Sequence, residues 1–123
     1  MHELLDEIPE CVNSFLLDAR VPMKSGFHYL GTAITMSCKD PSYMNLLTKT
    51  LYPEIAKKFD TTKSAVEKNI RYVIDTSWSR GGISWTDQRP STGEFIRYAV
   101  MKLRRQIVPK QSEEFQFDEE TLE

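Results

Sequence analysis

A chain of 123 residues with 40% hydrophobic content has room for one domain and a modest core. No apolar run approaches the roughly 20 residues of a membrane helix, and the acidic N-terminus lacks the basic start of a secretory signal. The net charge of −2 hides a division: residues 1–23 carry −4, residues 24–105 carry +7 and residues 106–123 carry −5. A basic centre favours a polyanionic partner. Cys11 and Cys38 are too few for a disulfide framework, so both are expected as reduced thiols in a cytoplasmic protein without a cofactor.

Residues 4–19 read as a first helix, with Leu5, Ile8, Val12, Phe15, Leu16 and Ala19 as its apolar stripe. Pro9 fits only in the first turn, so regular helix should begin near it. Val21-Pro22 ends the element. A second helix is expected over residues 25–38, burying Phe27, Leu30, Ala33, Ile34 and Cys38. Gly26 and Gly31 weaken it, and Gly31 is the candidate for a close helix contact. Asp40-Pro41 pairs an N-cap residue with a first-turn proline and predicts a third helix to residue 51, with Met44, Leu47 and Leu51 inward. Tyr52-Pro53 should break the chain again.

Residues 53–80 then read as two helices around a tight corner. The first, over 53–59, has an apolar edge of Ile55, Ala56 and Phe59. Asp60-Thr61-Thr62 makes the corner, with Asp60 suited to the left-handed backbone region. The second helix, over 62–79, places Val66, Ile70, Val73, Ile74, Ser77 and Trp78 on one face. Its opposite face holds Ser64, Lys68, Arg71, Tyr72 and Asp75. Either Thr62 caps this helix, or Ser64 does in a Ser-x-x-Glu box with Glu67. The pair has the outline of a DNA-binding helix-turn-helix, although such pairs also occur in all-helical proteins that bind no DNA.

Arg80-Gly81-Gly82 stops the long helix. Residues 83–90 form a connection in which Trp85 covers the core edge. Ser91-Thr92-Gly93-Glu94 is a capping box for a last helix to residue 105, burying Phe95, Ile96, Ala99 and Leu103. Residues 106–123 lack periodicity and read as an acidic, disordered tail. The fold class is all-α, a compact bundle of about six helices, with a helix-turn-helix domain over residues 1–105.

Several stretches together resemble a known family. They are Val21-Pro22, the Gly-Phe-His-Tyr-Leu run from Gly26, the Leu-Tyr-Pro-Glu-Ile-Ala-Lys-Lys-Phe run from Leu51, Thr61-Thr62, Ser64, Val66-Glu67, Ile70-Arg71 and Trp78-Ser79-Arg80-Gly81. Pro90 and Glu94-Phe95-Ile96 continue the match. Over residues 12–105 the chain resembles the C-terminal effector domain of the master sporulation response regulator of endospore-forming Firmicutes. That resemblance implies a bacterial transcriptional regulator that binds double-stranded DNA with the long helix in the major groove. Glu67 stands where the family has a base-contacting Glu, Lys68 where it usually has Arg, Arg71 at a DNA-contacting Arg, and Tyr72 at a common His. Lys63 and Ser64 lie in the first turn, where phosphate contact is expected. Lys57, Lys58 and Arg80 complete the expected phosphate anchors.

The departures carry information too. Ala65 stands where the family has a base-reading Arg, and losing one bidentate contact removes roughly 1–3 kcal/mol of discrimination. The connection between Gly82 and Pro90 is about ten residues shorter than the family's, where a segment implicated in contacting RNA polymerase lies. No receiver domain is expected before the match, so control by aspartate phosphorylation is not expected either. Besides DNA, the partners considered are RNA polymerase, a full-length sporulation regulator, and a second copy of the chain in a dimer or tandem pair on DNA. The alternative reading is an interaction protein or antagonist that keeps the fold without specific DNA binding. His2 and His28 form no ligand or triad spacing and no phosphate-binding glycine loop is present, so an enzyme is not expected.

Overall fold

The structure is a computed structural model and describes residues 8–108. Among these residues all regular structure is helical, in five α-helices rather than six. Helix α1 spans Glu10–Asp18, α2 Ser25–Lys39, α3 Tyr52–Lys58, α4 Lys63–Ser79 and α5 Thr92–Ile107. No helix is long and apolar enough to cross a membrane among the described residues.

Pro9 is the N-cap of α1, so the proline sets the helix start. Leu5 and the rest of residues 4–7 lie outside the described residues, as does the tail from residue 109. Helix α1 ends on Arg20 with a left-handed φ of 60°. There the Val21 N–H donates to the Leu16 carbonyl and the Arg20 N–H to that of Leu17, at 3.0 and 2.9 Å. This closure satisfies carbonyls that the helix end would otherwise leave open.

Helix α2 is the central element and packs on α4 and α5. It buries the five residues its spacing predicts, Phe27, Leu30, Ala33, Ile34 and Cys38. Burial pushes the Cys38 thiol up to about 11, with Cys11 adding to the shift, so it stays protonated. The tight helix contact falls at Gly26: a Cβ there would meet the Asn69 carbonyl and the Val73 side chain of α4. Gly31, expected at such a contact, instead faces Ile8 and Leu16.

The predicted helix over 41–51 does not form as one element. Asp40 does cap its start, accepting from the Ser42 N–H at 3.1 Å. The chain then makes a 3-10 turn, Pro41–Asn45, and a single π turn, Leu47–Leu51. Ser42, Asn45, Thr48 and Thr50 are weak helix formers, and of the three apolar residues only Leu51 is fully buried. Too little packing holds a regular helix here. Nor does Tyr52-Pro53 break the chain: the π turn runs directly into α3, with Pro53 in its first turn.

Helix α5 starts with the expected capping box, in which Ser91 Oγ accepts from the Glu94 N–H and Glu94 Oε1 from the Ser91 N–H. It continues to Ile107, two residues into the stretch expected as tail. Arg104 Nε donates to the Cys38 carbonyl at 2.9 Å, joining the C-terminal ends of α5 and α2.

Candidate nucleic-acid interface

The corner between α3 and α4 is built from backbone hydrogen bonds. Asp60 takes a φ of 55°, as its residue type allows. The Thr61 N–H donates to the Ala56 carbonyl at 2.8 Å and the Asp60 N–H to that of Lys57 at 3.3 Å. Thr62 then caps α4, its hydroxyl accepting from the Ala65 N–H at 3.0 Å. That settles the choice between Thr62 and Ser64, and leaves the exposed Ser64 hydroxyl inside the first turn, turned to solvent.

Helix α4 divides cleanly. Val66, Ile70, Val73, Ile74 and Ser77 are buried, while Trp78 is half-buried. Ser77 is satisfied by donating to the Ala19 carbonyl at 2.5 Å. On the outside, Lys63, Ser64, Lys68, Arg71 and Tyr72 are exposed, Tyr72 by 50%, and Glu67 is half-buried. Residues 64, 67, 68, 71 and 72 recur at helical spacing, so they form one stripe about 12 Å long. Ala65, beside it, offers no reach, and Asn69 Nδ2 donates back to the Ala65 carbonyl at 2.7 Å.

A cavity of about 420 Å³ lies along one edge of this stripe, between α4 and residues 89–93. Tyr52, Glu67, Arg71, Asp75, Arg89 and Thr92 contribute to its walls. Arg89 Nη1 pairs with Asp75 Oδ1 at 3.1 Å, tying the connection to α4. Burial, then the Glu67 carboxylate, pushes the Tyr52 phenol upward, against the opposing effects of its bond with Thr92 and of Arg71. Tyr52 is therefore a neutral hydroxyl between Glu67 and Arg71 in the cavity wall.

The expected anchors are not all brought together. Lys57 is exposed in the last turn of α3 and Lys63 in the first turn of α4, on either side of the corner. Lys58 lines a different groove of about 600 Å³, with Lys39 of α2 and Gln106 of α5. Arg80 is the C-cap of α4, about 12 Å along the axis beyond Tyr72. Its carbonyl accepts from Arg20 Nη1 at 2.6 Å. Two other cations stand beside the stripe. Lys24 Nζ lies 5.6 Å from the Tyr72 ring centroid, and Arg89 holds Asp75. Only their sign was visible in the sequence, since both sit in connections with no periodicity to place them.

A short helix, a left-handed corner and a long helix with its polar face bare define a helix-turn-helix domain, the class of module that sets a helix into a DNA groove. The family described as "Sporulation initiation factor Spo0A C terminal" matches residues 12–103. The chain belongs to that family, a family of sporulation-regulator DNA-binding domains involved in transcription regulation rather than an enzyme family.

Proposed function

We propose that the chain binds double-stranded DNA sequence-specifically as a transcriptional regulator, with α4 in the major groove. The observation that carries this reading is the bare stripe of Ser64, Glu67, Lys68, Arg71 and Tyr72 on a helix whose other side is locked in the core. Its side chains match the chemistry of base edges. Arg71 and Lys68 donate to guanine O6 and N7, and the Glu67 carboxylate accepts from cytosine N4. Lys68 reaches as a point charge, without the planar fork of an arginine. Lys57, Lys63 and the Ser64 hydroxyl meet phosphates around the corner, and Lys58 and Arg80 make more distant, weaker contributions.

In vitro selection of bound duplexes from a random library tests this reading. One enriched sequence is expected, and Arg71→Ala should lower affinity for it by roughly 1–3 kcal/mol and relax preference at one position. Recovery of no enriched sequence at low salt would favour the other reading, an interaction protein that keeps the fold, for which Ala65 at a base-reading position is the supporting observation.

A further inference from the structure

Helix α4 carries a cation fastened along each of its two edges, outside the stripe assigned to base reading. At about 100° per residue, Asn69, Tyr72 and Thr76 fall on one edge of the exposed face and Glu67 and Arg71 on the other, with Asp75 between them. On the first edge stands Lys24, the exposed residue preceding α2. Its ammonium is 5.6 Å from the Tyr72 ring centroid. Its backbone is held in place, because Gly26, two residues on, is pressed against the Asn69 carbonyl and Val73. On the second edge stands Arg89, which lines one cavity with Glu67 and Arg71 and reaches Asp75 at 3.1 Å, its side chain 58% exposed. The buried Pro90 fixes the backbone behind it.

A helix with its side chains is about 10–12 Å across and the major groove is about 12 Å wide. A helix lying in the groove therefore has a sugar-phosphate backbone along each edge. We propose that Lys24 and Arg89 form a two-sided phosphate clamp, one residue on each backbone, that holds α4 in the groove independently of sequence. The clamp rests on the DNA-binding reading above. Asp75 has a part in it: left alone, its carboxylate would face the polyanion, and pairing with Arg89 cancels that charge while aiming the guanidinium outward.

The test uses a labelled random-sequence duplex of about 30 base pairs, titrated between about 50 and 200 mM salt. Lys24→Gln and Arg89→Gln should each weaken binding and each flatten the slope of log K against log salt by about 0.9, with the double variant losing about twice that. Lys24→Arg and Arg89→Lys should restore the slope, and the sequence recovered by selection should stay the same in every variant. Because Arg89→Gln also unpairs Asp75, Asp75→Asn is added to it, and the slope loss should persist in the pair. Helix content from circular dichroism checks that each variant is folded. Folded variants with wild-type slopes overturn the clamp. Recovery of no enriched sequence by the wild-type chain overturns base reading, and the salt slopes then still decide the clamp.

Discussion

Two connections flank α4, and they are held in different ways. The corner before it closes through main-chain hydrogen bonds and one threonine cap, all within residues 56–65. The connection after it, residues 80–91, depends on side chains from distant parts of the chain. Trp85 stacks on Tyr98 with centroids 4.1 Å apart and also meets Phe95 and Phe15. Arg89 is tied back to Asp75. A local device sets the angle between the two helices of the helix-turn-helix, while a tertiary device sets where the connection lies against its edge.

Breaking the second connection should cost the most. Trp85→Ala removes three aromatic contacts at once and is expected to lower stability by about 3 kcal/mol, the lower end for such truncations because the ring is only half-buried. Urea denaturation measures it. The corner should instead respond to backbone preference: Asp60→Ala is expected to cost roughly 1–2 kcal/mol at a φ of 55°, while Asp60→Gly costs nothing or stabilises. Equal losses in both variants would mean that the Asp60 side chain, and not its backbone, holds the corner. Next comes the cap, where Thr62→Ala should lose about 1 kcal/mol and Ser64→Ala stay within about 0.5 kcal/mol. A similarly small effect is expected at the exposed pair, with Asp75→Asn changing stability by less than about 0.5 kcal/mol and less still at high salt.

The same contrast explains what was legible in the residues. Helices α2, α4 and α5 were readable because each carries a long apolar stripe between recognisable caps, and the helix-turn-helix corner was readable because its chemistry is local. Residues 41–51 were not: Met44, Leu47 and Leu51 have helical spacing, but spacing does not report how much of each side chain the fold will bury. Gly26 and Gly31 looked alike in sequence, and only the approach of Asn69 distinguishes them. At the candidate interface, the face of α4 from Ser64 to Tyr72 followed from periodicity. The cations of that region did not sort themselves, since a lysine's sign is written in the sequence and its direction is not. Lys58 lines another groove, while Lys24, more than forty positions from Tyr72, stands beside it.

The far end of α4 is fastened to the end of α1 by contacts between distant parts of the chain. Ser77 donates to the Ala19 carbonyl, Arg20 reaches the Arg80 carbonyl, and Gly82 presses on Ala19 so closely that no Cβ would fit. The helix is thus a beam held at both ends, by the corner and the Thr62 cap at its start and by the end of α1 at its finish. Opening motions should be smallest in its buried middle, and amide hydrogen exchange slowest around Ile70, Val73 and Ile74. A helix held at both ends keeps its outer side chains in fixed register while only their tips remain free to turn.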